Sequence, residues 1–377
     1  SDVLSFLSAV RSKYDDNCTH VTFGLEVTGI YSNNVYNFIK SQLNDLEEIR
    51  FLNTEFVNKW RKTHNIAKSD PLDAQTISNI IGTDPDVRFV NHVAFDNEKG
   101  YQDLKALIHR YYQVKKTYSQ EINRLISTCD VYFPELQYVF EPKSAAFPAI
   151  LSSYPTTQDI INASKSEVFD CAYEATKHRV TLDKIDMLFN YCNDTLTDFN
   201  ISYTSRSIIL DLTASVTRLK SLLKELEKKI KVLASMFDVY ELLLTITGCG
   251  PITAATVIAE TGDISRFHSA DKFVSYAGAS PRIDRSGKSV ETIGRISKKG
   301  SKYLRHALYM IAEFARRHNP VLKAQFDRIK NGNKKRHRLA VIAIANKIAR
   351  YIYYKSSFII TYESLMRLSE VTRNTFF

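Results

Sequence analysis

Ser286 is the residue in this chain best equipped for covalent chemistry. It lies in Pro281-Arg282-Ile283-Asp284-Arg285-Ser286-Gly287-Lys288, with Arg295 shortly after. A hydroxyl beside a glycine, with Arg282, Arg285, Lys288 and Arg295 around it, is suited to meet a phosphodiester: the backbone yields and the cations stabilise an anionic transition state. Ser-Gly is also a common turn dipeptide, so an ordinary basic surface loop is the plain alternative. A second set is acidic. Glu26 ends the apolar run Val21-Thr22-Phe23-Gly24-Leu25, where a strand terminus of an α/β domain would project it. Asp70 and Asp73 are three apart at the start of a helical pattern and so share one face. Three converging carboxylates would bind one or two Mg²⁺ ions. The competing reading is capping, with Asp70 at the N-cap, Pro71 at N1 and Asp73 at N3 of one helix.

The charge is unevenly spread. The chain of 377 residues carries a formal +10, yet residues 1–236 sum to −3, residues 237–350 to +12 and residues 351–377 to +1. Basicity confined to one region indicates a polyanion surface rather than general solubility. Its densest stretches are Lys298, Lys299, Lys302 and Arg305, then Lys334, Lys335, Arg336 and Arg338, interleaved with glycines, Tyr303 and His306. Cys18, Cys129, Cys171, Cys192 and Cys249 form no CxxC pair, which argues against a disulfide framework or zinc site. No apolar run has membrane-spanning length and no signal peptide stands at the start, so a cytosolic protein is expected.

The elements that must position these residues fall into three segments. Residues 1–98 alternate helical and strand-like patterns: a helix over 3–13, a strand over 19–26, a helix over 33–44, a strand over 49–52, helices over 56–63 and from 69 to about 81, and a strand over 87–90. This is an α/β layered domain. Residues 99–237 carry two long three-four patterns. One runs through Leu104, Leu107, Tyr111, Val114 and Tyr118; the other runs from Ile209 to Leu233 over more than three heptads. They predict coiled-coil helices, pairing antiparallel with each other or with another subunit, around an inserted helical stretch at 131–203. Residues 238–377 are expected to be mostly helical. Leu242 to Gly248, then Gly250-Pro251 and a helix from Thr253 to Glu260, have a helix-hairpin-helix-like form that offers backbone amides to a phosphate. A helix over 267–278, the serine loop, a helix over 303–317 and another over 338–354 complete this segment.

Several blocks carry a family resemblance. Glu26-Val27-Thr28-Gly29-Ile30-Tyr31 and Lys68-Ser69-Asp70-Pro71-Leu72-Asp73-Ala74 resemble two blocks of the DEDD transposases of the insertion-sequence 110 family. Gly248-Cys249-Gly250-Pro251, residues 273–281, Ser286-Gly287 and Arg295-Ile296-Ser297-Lys298-Lys299-Gly300 are similar to that family's C-terminal domain. The resemblance implies a multidomain α+β protein: a RuvC-like, RNase H-type domain, a coiled-coil region and a mostly helical transposase domain. It implies an RNA-guided recombinase in which an element-encoded bridge RNA pairs with target and donor DNA. Glu26, Asp70 and Asp73 would be three of four Mg²⁺-binding acids, and Ser286 the nucleophile of a covalent phosphoserine intermediate. Arg282, Arg285, Lys288, Arg295, Lys298, Lys299, Lys302 and Arg305 would contact phosphate near it. A dimer assembling to a tetramer in the cytoplasm, at the nucleoid of a bacterium or archaeon, is implied too. The family's first Asp lies on an opening strand, and neither Asp15 nor Asp16 has that context; the expectation is that this strand precedes the given sequence. A RuvC-like nuclease using activated water, a DNA invertase of the same chemistry and a non-catalytic nucleic-acid scaffold are the other readings.

Overall fold

The computed structural model describes residues 2–14, 18–26, 30–52, 54–67, 69–83, 99–194, 202–286, 290–298 and 300–374. The chain divides into two compact units, Ser1–Lys99 and Gly100–Phe377. The strand expected at 87–90, and Asp15 and Asp16, lie outside the described residues.

The first unit is a small layered α/β body. Its described elements are α1 (Asp2–Arg11), β1 (Val21–Glu26), α2 (Ile30–Lys40), β2 (Glu47–Leu52), α3 (Thr54–Thr63) and α4 (Asp70–Thr83). β1 and β2 pair in parallel, Val21 opposite Glu47 and Glu26 opposite Leu52, with α2 as the crossover. Side chains alternate across a strand, and β2 follows the rule. Ile49 packs with Leu7 of α1 and Ile39 of α2, while Leu52 packs with Val57 of α3 and Ile80 of α4. Helices therefore cover both faces of the sheet. α1 is fastened to β2 by one buried carboxylate: Glu47 accepts from Arg11 Nε at 2.8 Å, Arg11 Nη2 at 2.7 Å, the Tyr14 hydroxyl at 2.7 Å and the Asn44 amide at 3.1 Å. The Arg11 bonds lead in holding Glu47 down at about 2. Burial, helped by Glu47, pushes Tyr14 up to about 12.

The second unit is helical apart from one hairpin. α5 (Lys99–Tyr132) leads into five short helices, α6 (Glu135–Val139), α7 (Ala146–Ser153), α8 (Thr157–Asn162), α9 (Lys165–Ala175) and α10 (Leu182–Asn193), before α11 (Tyr203–Ala234) returns. Leu104, Ile108 and Val114 share a core with Leu219, Leu226 and Ile230, whereas Ile122, Leu125 and Cys129 share another with Ile209 and Val216. α5 and α11 are thus antiparallel, and their heptad faces are buried within the chain. Capping boxes at Thr156/Asp159 and Ser164/Glu167 punctuate the inserted helices. There follow α12 (Val239–Leu244), α13 (Pro251–Thr261), α14 (Ala270–Tyr276), β3 (Pro281–Ser286), β4 (Val290–Ile296), α15 (Lys302–His318), α16 (Pro320–Lys330) and α17 (His337–Asn374). The core of the α5/α11 end continues into α13, α15 and α17 without a break at residues 237 and 238.

Two expectations change. The serine-bearing stretch is an antiparallel hairpin, not a loop. Ile283 on one strand and Val290, Thr292, Ile293 and Ile296 on the other supply the β-branched content, which the interleaved charges obscured. The last helix runs to Asn374 rather than ending near Tyr354, since no Gly or Pro interrupts residues 355–374.

Candidate active site

Glu26, Asp70 and Asp73 line one cavity of about 820 Å³ in the first unit. All of β1 contributes to its wall, together with Phe6 and Val10 of α1, Asn58 of α3 and Ile77 of α4. That they share it follows from how α4 crosses the sheet. Gly24 lies under Ile77 and Ile81, where any Cβ would collide with both side chains. The helix therefore seats closely on β1 and brings its first turn toward the strand end that carries Glu26.

The acids are not consumed by capping. The Asp73 amide donates to the Ser69 carbonyl at 2.8 Å, which makes Ser69, not Asp70, the residue preceding the helix. Asp73 is half-buried, and its Oδ1 is shielded from solvent without a hydrogen-bond partner. Arg61 Nε, likewise buried and unpartnered, stands 3.7 Å away, beyond hydrogen-bonding range. Asp73 is thus ion-paired with Arg61 without being hydrogen-bonded by it, which leaves Oδ1 with capacity for a further partner. Among the described residues no three His, Cys, Asp or Glu side chains are gathered tightly enough to form a ready-made metal cluster. The donor types nonetheless suit a hard divalent cation, being all oxygen, with one oxygen that accepts no hydrogen bond.

In the second unit, Ser286 is the last residue of β3 and pairs with Val290 of β4. A register irregularity separates Pro281 from Ile283. Arg282 and Arg285 lie on β3 and Arg295 on β4, while Lys288 and Lys299 lie outside the described residues. The root of the hairpin is tightly tied: Ser297 N donates to Ser280 O at 3.0 Å and Lys298 N to Gly278 O at 3.2 Å. Arg305 Nη1 donates to Ala277 O at 3.2 Å and Lys298 O at 3.3 Å, so this cation braces the root. Lys302 is exposed on the first turn of α15. The Gly-x-Gly-Pro turn joins α12 to α13 as expected, with Gly250 at the N-cap and Pro251 following.

One polar group here escaped sequence reasoning. Glu260, 4% exposed, accepts from the Ser301 hydroxyl at 2.6 Å and pairs with His109 Nε2 at 2.6 Å, joining α13, the start of α15 and α5. Its only visible signal was a carboxylate beside Thr261-Gly262 at a helix end, and the partners lie 41 and 151 residues away.

Comparison with known proteins bears directly on both units. A DEDD transposase model of the IS110 type, described as a transposase, matches residues 3–134, and the model for the transposase IS116/IS110/IS902 family matches residues 240–327. The chain carries the DEDD and C-terminal transposase domains of the IS110 family. Glu26, Asp70 and Asp73 fall in the first match and Ser286 in the second. The chain is 22% identical over 227 residues to the insertion element IS110 uncharacterized 43.6 kDa protein of Streptomyces coelicolor, an alignment covering 60% of this chain and 55% of that one. It is 32% identical over 160 residues to the pilin gene-inverting protein of Moraxella bovis, covering 42% and 45%. It is 34% identical over 134 residues to the transposase for insertion sequence element IS1328 of Yersinia enterocolitica, covering 34% and 39%. The chain thus spans about half the length of the first two of these relatives. The family is one of transposases and site-specific recombinases. Among the described residues no helix is long and apolar enough to cross a membrane.

Proposed function

We propose that this chain is an RNA-guided DNA recombinase that cleaves and rejoins strands through a phosphoserine at Ser286. The observation that supports the reading is that Glu26, Asp70 and Asp73 line one cavity within the DEDD-matched region, with an Asp73 oxygen that accepts no hydrogen bond. Those three residues would hold one or two Mg²⁺ ions, which supply Lewis-acid stabilisation of phosphate charge when bound. A RuvC-like fold for the first unit is consistent with its parallel strands covered by helices on both faces.

The serine step conserves bond energy. The Ser286 hydroxyl gives up its proton as its oxygen bonds to phosphorus; the DNA P–O bond breaks, and the departing oxygen takes a proton to become a free hydroxyl. One phosphodiester replaces another, so a hydroxyl from the partner strand can reverse the step and complete an exchange without external energy. Arg282, Arg285, Lys288, Arg295, Lys298, Lys299 and Lys302 are proposed to offset phosphate charge around it. The net +12 of residues 237–350 supports DNA and RNA as the polyanions engaged. The bridge RNA and the dimer-to-tetramer assembly rest on family resemblance. The acids and the serine belong to separate compact units. The similarity to pilin gene-inverting proteins favours DNA inversion as a second outcome of the same chemistry.

The test combines protein, element-derived RNA, Mg²⁺ and end-labelled DNA on a denaturing gel with and without protease. Wild type should give a protease-sensitive adduct that Ser286→Ala abolishes and Asp73→Asn reduces at least 100-fold. Cleavage that persists in Ser286→Ala with no adduct would sink the serine mechanism and leave a nuclease using activated water.

A further inference from the structure

A second cluster of functional groups stands where β4 returns to the body of the second unit, with Tyr303 five residues beyond Lys298 at the hairpin root. Tyr303, in the first turn of α15, lies with its ring centroid 4.3 Å from His109 and 5.2 Å from Tyr112, both on α5. His306 meets Tyr112 edge-on at 5.9 Å, and Lys302 Nζ sits 4.9 Å over the Tyr303 ring. The rings are not sealed in: the His109 side chain is 37% exposed, Tyr112 and Tyr303 are half-buried, and His306 is exposed. Partial desolvation of the ring beside Tyr112, then the neighbouring Lys115 ammonium, lower His306. Beneath them Glu260 has each carboxylate oxygen engaged by His109 or Ser301, which fixes the first turn of α15 against α5 and keeps the negative charge away from the surface.

The cluster sits at the hairpin root and Ser286 at the far end of β3. From Ser280 at the root to Ser286 at the end of β3 is six residues, about 20 Å of extended strand. What the cluster offers is aromatic surface bordered by ammonium groups, the chemistry with which proteins hold single strands. Bases within a duplex have both faces covered, and only an unpaired or flipped-out base is free to lie on a ring.

We propose that His109, Tyr112, Tyr303 and His306, flanked by Lys115 and Lys302, form a stacking site for an unpaired stretch of nucleic acid at the root of the serine hairpin. It rests on the recombinase reading, because strand exchange must open base pairs near the cleaved phosphate and an opened strand needs somewhere to go. Glu260 is the positioning residue that keeps the platform assembled.

Fluorescence anisotropy with the full chain tests this, using fluorescein-labelled oligothymidylate, oligouridylate of equal length and a 20-base-pair duplex as probes. Tyr303→Leu, which keeps apolar bulk but removes the π face, should weaken binding of the better oligonucleotide about tenfold, while Tyr303→Phe binds as wild type. Both should leave duplex affinity within about twofold. Lys302→Gln should lower the slope of log affinity against log salt by about 0.7 for the oligonucleotide. His306→Ala, an exposed change that does not threaten folding, should weaken the oligonucleotide at least threefold. Preference for thymidylate would assign the site to a DNA strand, and preference for uridylate to RNA. Oligonucleotide binding unchanged in Tyr303→Leu and His306→Ala, or duplex binding weakened equally, would overturn the proposal. No step needs cleavage: oligonucleotide binding that behaves as expected in a protein forming no serine adduct would remove the recombinase reading and leave the platform standing.

Discussion

Gly300 is the tightest point at the root of the serine hairpin, and substituting it by alanine gives the sharpest test of the local geometry. Its φ is +104°, a region costly for residues bearing a Cβ, and an added Cβ would overlap the Tyr276 carbonyl oxygen and crowd the carbon that bears it. Two other glycines separate these effects. Gly332 has φ +68° with nothing within 4 Å of the place a methyl would take, so Gly332→Ala meets the dihedral cost alone, about 1 kcal/mol. Gly250, an N-cap with φ −83° and open space around it, meets neither; its loss of cap preference and the reduced entropy of the unfolded chain roughly cancel, leaving about 0 to 0.5 kcal/mol. Gly300→Ala meets the dihedral cost and must also displace backbone that cannot swing aside, so about 3 kcal/mol is expected. Urea unfolding followed by near-UV circular dichroism should rank the variants 250, 332, 300, with Gly300→Ala also losing serine adduct through misplacement of the hairpin. Equal midpoints for Gly300→Ala and Gly250→Ala would refute the close packing of Gly300 under Tyr276.

The Glu47 network makes stability depend on acid. A carboxyl held at about 2 in the fold and near 4.5 when unfolded stabilises fully above 4.5, and that contribution is lost as pH falls toward 2. Melting curves should therefore show wild type above Glu47→Gln at pH 7, with the gap closing between pH 4.5 and 2; a constant gap would contradict the Arg11 pairing. Burial raises Cys129, Cys192 and Cys249 to about 12, so these thiols should resist a thiolate-directed reagent at pH 8 until denaturant is added. Mass spectrometry of labelled peptides would identify any that react early.

Much of this was visible in the chain, for unequal physical reasons. Helical periodicity is a local signal, and the runs through Leu104 and Ile209 gave both long helices and the faces they bury. The acids were legible from their types and spacing. What the sequence lacked was the cause of their sharing a cavity, which is Gly24 letting α4 settle onto β1. The hairpin was hidden by charge: Arg282, Asp284, Arg285 and Arg295 make the strands look like a solvated loop. Capping misled in the other direction, since Ser69 takes the position that composition offered to Asp70. Glu260 was out of reach altogether, as a buried carboxylate is recognisable only by partners that the fold delivers from distant segments.

The antiparallel run of α5 and α11 has a mechanical corollary. Helices of 34 and 32 residues extend about 50 Å, and the inserted helices share a core with their far ends while the C-terminal helices share one with the near ends. The pair is a strut holding two cores apart, and its length is adjustable without redesigning either end. Removing seven residues from each helix would preserve which faces meet and draw the far core in by about 10 Å, whereas removing seven from one helix alone would leave the pair unequal by about 10 Å and slide its apolar contacts along the partner.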